Sequence, residues 1–268
     1  MYRLFANGTV HAAVVGYGPP LFLFHSLLSN RASFDAIAPE LSQSYRVIIP
    51  ELPGFGRSEA VIGGLDVVAD RMADAVRDAA GFERPIVLGN GYGGFVALLM
   101  AIRHPDIAAK LILSDCGGAF SDAGRQAFRS MAAASHAQGL SAVIDVAMNR
   151  LFAQEFQDEN PELMRDRRAA FLRTDPDVFR AACTQLATLD LTPELSKVDV
   201  PVLVMVGEQD EATPPQMSRD LADGLPDARF KIVPGCAHVP QLQAPKLFLA
   251  TIADFVGQAA PAYQGLPE

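Results

Sequence analysis

Val87-Leu88-Gly89-Asn90-Gly91-Tyr92-Gly93-Gly94-Phe95-Val96-Ala97-Leu98 reads as a buried strand, a sharp glycine-rich turn and the start of a helix. This is the setting in which a G-x-S-x-G motif exposes a nucleophile at the top of a sheet. Gly89 and Gly93 hold the two outer positions of that motif. The central position, where the serine would stand, is Gly91. A phosphate-binding G-x-G-x-x-G can be laid over Gly89, Gly91 and Gly94, but that fingerprint belongs after the first strand of a βαβ unit, and several strands precede this one.

The chain around this stretch suits one large α/β domain with an insertion. Its 268 residues are 50% hydrophobic and 20% charged, enough to bury a sizeable core. A net charge of −9 argues against nucleic acid or an anionic membrane as a partner. Cys116, Cys183 and Cys236 are widely spaced, so they form neither a disulfide framework nor a zinc motif. The N-terminal Met1 to Gly8 lacks the apolar run of a signal peptide, and the expected location is cytoplasmic. No cofactor or metal motif is visible. The expected partner is a small-molecule substrate, with homo-oligomerisation left open.

Strands are expected at Thr9 to Val15, Leu21 to Phe24, Tyr45 to Pro50, Pro85 to Leu88, Lys110 to Asp115, Val200 to Gly207 and Ala228 to Val233. Helical spacing appears over Phe34 to Leu41, Asp66 to Ala80 (closed by Gly81), Tyr92 to His104, Pro215 to Gly224 and Pro245 to Val256. From Gly117 to Ser196 no strand interrupts a helical pattern broken near Gly139, Pro161 and Pro176. The expected division is a core of residues 1–116 and 197–268 with a helical cap at 117–196. The alternation of strand and helix predicts a mostly parallel sheet flanked by helices. Gly257 to Glu268 reads as a poorly ordered tail.

Ligand sites in such sheets lie beyond the C-terminal ends of the strands. Four stretches there carry chemistry: His25-Ser26-Leu27, Gly91-Tyr92, Gly207-Glu208-Gln209-Asp210 and Gly235-Cys236-Ala237-His238. The order nucleophile position, acid, histidine is that of α/β-hydrolases. Nearly the whole chain resembles that fold family, and most nearly its enol-lactonase and C–C-bond hydrolase members. Phe24-His25-Ser26-Leu27 is similar to the family's His-Gly-x loop. Glu51-Leu52-Pro53-Gly54-Phe55-Gly56-Arg57-Ser58 is similar to its D-x-x-G-x-G-x-S loop, with Glu51 for Asp. Val206 to Pro214 matches G-x-x-D-x-x-x-P, and Pro234 to His238 matches G-x-x-H.

The resemblance implies His238 as general base and Asp210 as its partner. It places the amides of Leu27 and Tyr92 in an oxyanion hole, with Gly91 at the nucleophile position. Asp115 is a rival for the acid role, and His25 reads as structural. Arg125, Arg129 and Arg168 in the cap are candidates to meet a substrate carboxylate. The function implied is ester or lactone hydrolysis. Two departures qualify it: Ser26 stands for the usual glycine, and Gly91 cannot form an acyl-enzyme. Cys116 and Ser26 are conceivable substitutes for the missing nucleophile, but neither sits on the elbow. Three explanations stay open: a serine hydrolase inactivated at position 91, which is the adopted reading; a His238-dependent hydrolase, lyase or cofactor-free oxygenase that needs no covalent step; and a binder of small molecules.

Overall fold

The computed structural model describes residues 1–257. Eight strands form a single sheet: β1 (Tyr2–Phe5), β2 (Val10–Val15), β3 (Pro20–Phe24), β4 (Arg46–Pro50), β5 (Ile86–Asn90), β6 (Lys110–Ser114), β7 (Val202–Gly207) and β8 (Ala228–Val233). Their spatial order is β1-β2-β4-β3-β5-β6-β7-β8. β2 runs antiparallel to both β1 and β4, and every pairing from β4 to β8 is parallel. The continuous apolar runs explain why the middle of the sheet is covered on both faces. Along β3, Leu21 and Leu23 join the core on one face with Leu88, Ile112 and Phe248, while Phe22 and Phe24 join the other with Val87 and the helix Tyr92–Arg103.

β1 escapes the sequence reading because its residues are almost all exposed. An edge strand with neither face buried leaves no alternation to detect. The helical spacing of Phe34 to Leu41 resolves into a 3-10 turn at Arg31–Phe34 and a short helix at Ala38–Leu41. Pro39 lies in the first turn of that helix, where its missing N–H costs nothing. The stretch expected as a helical insertion contains the helices Asp122–Gln138, Ile144–Leu151, Gln154–Glu159, Pro161–Phe171 and Pro176–Thr188. Gly139 ends the first with φ of 80°, and Pro161 and Pro176 begin two others, so the three breaks in the pattern are chain signals with a steric cause. A bridge between Ala119 and Asp190 ties the two ends of this segment together. Among the described residues no helix is long and apolar enough to cross a membrane. The expected disordered tail falls, apart from Gly257, outside the described residues.

Two glycines let β5 and its helix meet closely. A Cβ at Gly89 would lie 2.3 Å from the carbonyl oxygen of Gly93, and one at Gly93 would lie 2.3 Å from that of Phe24. Side chains there would push the helix off β3 and β5. The same crossing lets the Gly93 amide donate to the His25 carbonyl at 3.1 Å. The turn after β5 and the loop after β3 are thereby held against each other.

Candidate active site

Gly91 sits between β5 and the helix Tyr92–Arg103 with φ 54° and ψ −119°. That conformation is strained for a residue with a Cβ. Its amide donates to the Ser114 carbonyl at 2.9 Å, so the tip of the turn is pinned to the end of β6. Asp210 follows β7 and His238 follows β8, each at the C-terminal edge of the sheet.

The structure brings His238 and Asp210 together. Nδ1 of His238 lies 2.9 Å from Oδ2 of Asp210, and both side chains are buried. Asp210 also accepts from the amides of Ala212 (2.8 Å) and Thr213 (3.0 Å) and from the Thr213 hydroxyl (2.5 Å). Burial raises the Asp210 carboxyl, but His238 and Thr213 outweigh it and hold the group below its ordinary value. An ionised Asp210 fixes the proton of the imidazole on Nδ1 and leaves Nε2 with a free lone pair. That Nε2 points at the elbow: a Cβ built on Gly91 would lie 2.6 Å from it.

Asp115 is close by but is oriented elsewhere. It accepts from the Gly207 amide (2.8 Å), the Ser114 hydroxyl (2.5 Å) and Asn90 Nδ2 (3.2 Å). Burial first, and then the charge of Asp210, push its carboxyl well above the usual range. Burial and the neighbouring charge thus oppose ionisation at Asp115, while the partners of Asp210 favour it there. Asp115, Asp210 and His238 offer ligand atoms within 4.8 Å of one another. The carboxylate oxygens already receive N–H and O–H donors and Nδ1 of His238 donates to Asp210, so the cluster is a hydrogen-bonded network and fits a cation poorly. Asn90 closes the network, donating to the His238 carbonyl at 2.9 Å and accepting from Gln241 at 3.0 Å.

His25 supports the loop that carries Ser26 and Leu27. Its Nε2 accepts from the Leu52 amide at 3.1 Å, which leaves Nδ1 to donate to the Ser26 carbonyl at 3.0 Å. The Leu52 contact needs the neutral ring, because a protonated Nε2 has no lone pair left to accept with, and burial lowers the pKa of His25 from 6.5 to about 4. Between those values the unfolded chain takes up a proton that the folded chain refuses. Stability present above pH 6.5 is then lost as the pH falls toward 4, by about 3 kcal/mol. Urea unfolding at a series of pH values should show this loss, and His25→Asn should flatten that part of the profile relative to the unchanged protein.

The amides of Leu27 and Tyr92 have no backbone or side-chain acceptor among the described residues. Both residues line a small pocket with Ser26, Gly91, Phe128 and His238. The pocket measures about 20 Å³, room for a single water. A cleft of about 740 Å³ lies beside it and has the dimensions of a ligand site. The two share Phe120, Arg150 and Ala212 as walls. The imidazole and the turn at Gly91 border the smaller space, and the larger one adjoins it.

Three residues of the site are not singled out by the sequence, two of them standing at variable positions of the quoted motifs. Thr213 buttresses Asp210, Asn90 cross-links the loops, and Arg150 reaches both cavities. Thr213 at least lies inside the matched Val206 to Pro214 segment, three residues beyond the acid. The arginines singled out from the cap are otherwise engaged or turned outward: Arg125 donates to the carbonyls of Phe120 and Ala187, Arg168 pairs with Asp145 at 2.6 Å, and Arg129 is exposed.

A mostly parallel eight-stranded sheet of this order, with a glycine-flanked turn after β5 and an acid and an imidazole after β7 and β8, is the architecture of α/β-hydrolases. Residues 19–245 match the alpha/beta hydrolase fold family, and the chain belongs to it. It is 31% identical over 252 residues to the pimeloyl-[acyl-carrier protein] methyl ester esterase of Neisseria meningitidis serogroup C, covering 88% of this chain and 93% of that one. Among solved structures it is similar to a thermophilic esterase from Thermogutta terrifontis (25% identity, TM-score 0.85, 96% and 98% of the two chains). It shares its fold with the enol-lactonase from Burkholderia xenovorans LB400 (24% identity, TM-score 0.88, 96% and 100%).

Proposed function

We propose that the chain hydrolyses carboxylic ester or lactone bonds, with His238 as general base, Asp210 as its partner and the Leu27 and Tyr92 amides as donors to the oxyanion. The observation that carries this reading is the direction of the imidazole. Nδ1 is held by a buried carboxylate, and Nε2 faces the turn where a carbonyl would be attacked. The esterases among its relatives and structural neighbours support the bond class.

A second reading rests on the pocket volume. Space for one water beside Nε2 suits direct attack by a water that His238 deprotonates, with no covalent intermediate.

Arg150 narrows the substrate class. It lines both cavities, its Nη2 donates only to the Ala212 carbonyl at 3.3 Å, and no carboxylate pairs with it among the described residues. Its guanidinium also lies 5.3 Å from the centre of the Phe128 ring. A cation held this way suits a substrate that carries a free carboxylate. Assay of matched ester and lactone pairs, with and without a carboxylate, tests bond class and recognition together. Turnover should favour the acidic member of each pair. Arg150→Gln should raise KM about tenfold for acidic substrates and leave neutral ones unchanged. Complete inactivity across the panel would instead support the reading that Gly91 silences the protein.

A further inference from the structure

We propose that Ser26 is the nucleophile of this site, its hydroxyl standing in from the oxyanion loop for the one that Gly91 lacks. The inference rests on the hydrolase reading above and deepens it. Ser26 Oγ lies 3.3 Å from His238 Nε2, at the atom that Asp210 leaves free to accept a proton. It also lies 2.5 Å from where a Cβ on Gly91 would be. The hydroxyl therefore reaches the elbow from the side, through space that a side chain at 91 would otherwise fill. The side chain is almost fully buried, at 2% exposure, and borders the small pocket.

The two departures from the family pattern explain each other. The Ser26 hydroxyl as placed takes space that a side chain at 91 would claim, and a glycine at 91 leaves Nε2 without a hydroxyl unless another loop supplies one. The other nucleophiles nearby are turned away. Thr213 lies on the Nδ1 side of the ring and gives its proton to Asp210. Ser114 donates to Asp115. Cys116 packs toward Gly94 on the elbow helix, and burial pushes its thiol far up, which keeps it protonated.

The chemistry balances with water as the only co-reactant. Ser26 Oγ bonds to the substrate carbonyl carbon while its proton passes to His238 Nε2, and the carbonyl oxygen becomes an oxyanion. Collapse of this adduct breaks the bond to the leaving alcohol, which takes the proton from Nε2. A water then gives a proton to Nε2 and attacks the acyl carbon. The second collapse breaks the bond to Oγ, returns the proton to Ser26 and releases the carboxylic acid.

The test is covalent labelling with a small alkyl fluorophosphonate, which loses fluoride to an activated serine and needs no knowledge of the substrate. Peptide mass analysis should find the adduct on Ser26. Ser26→Ala and His238→Ala should each abolish it while circular dichroism shows both variants folded. Ser26→Ala should also lower ester or lactone turnover by about a thousandfold or more. Turnover by Ser26→Ala within about tenfold of the unchanged protein would overturn the proposal in favour of direct water attack. A folded protein that takes no label on Ser26 would overturn it as well. Labelling of Ser26 with no turnover on the panel would sustain the nucleophile and reject the bond class, so the two readings fail separately.

Discussion

Replacing His238 with alanine is expected to lower kcat/KM on ester or lactone substrates by about 10⁴-fold, and Asp210→Asn by nearly as much. The two effects share one cause. Asp210 is the only carboxylate in contact with the imidazole among the described residues, at 2.9 Å from Nδ1. Without its charge the proton is free to move to Nε2, and a ring protonated there cannot accept from a hydroxyl or a water. The double variant should be little worse than either single one, because groups that act as a unit do not add. Asp115→Asn gives the contrast. That carboxyl makes no hydrogen bond to the imidazole and accepts from Gly207, Ser114 and Asn90. An asparagine keeps one acceptor oxygen for Ser114 and Asn90 and turns its NH2 on the Gly207 amide, which costs stability but leaves the Asp210–His238 pair intact, so kcat/KM should stay within about tenfold. Steady-state kinetics on the four proteins decides the matter. Loss of activity in Asp115→Asn with survival in Asp210→Asn would reverse the assignment.

Placing a serine at position 91 should by itself add no activity. Its Cβ would stand 2.5 Å from Ser26 Oγ, 3.0 Å from Ser26 Cβ and 2.6 Å from His238 Nε2. The hydroxyl of Ser26 can rotate away, but its Cβ and the imidazole ring cannot do so without moving the loop or breaking the pair with Asp210. The backbone at φ 54° adds strain for any side chain. Gly91→Ser should therefore lose about 1–3 kcal/mol of stability and disturb the ring it is meant to use. Ser26→Gly with Gly91→Ser removes the contacts with residue 26, gives the new side chain and the ring room to adjust, and recreates the family arrangement. That double variant should exceed Gly91→Ser in kcat by about a hundredfold or more and label at residue 91. The measurement is a double-mutant cycle in kcat and in Tm. Additive effects in both quantities would show that residues 26 and 91 do not compete for one space.

Much of this architecture is legible in the chain because it is written in local signals. The apolar runs of β3 to β7, the glycines flanking position 91 and the turn residues before Asp210 and His238 each act through their own neighbours. β1 was not legible, since an exposed edge strand lacks a buried face. Arg150 was not legible either, since nothing in the sequence separates it from the other arginines of the helical segment 117–196. Only packing turns it toward the two cavities.

The residues alone determined the sheet, the glycine-flanked turn and the acid and imidazole that follow β7 and β8. Sequence showed a missing hydroxyl at Gly91 and placed Ser26 off the elbow. Only the tertiary structure decided that Ser26, 212 positions from His238 along the chain, comes to rest at its Nε2. The reason is geometric. Parallel strands gather the loops at their C-terminal ends into one place, whatever their separation in sequence. Which side chain then enters a gap left at Gly91 depends on distances of a few ångströms between loops, and no local pattern encodes those distances.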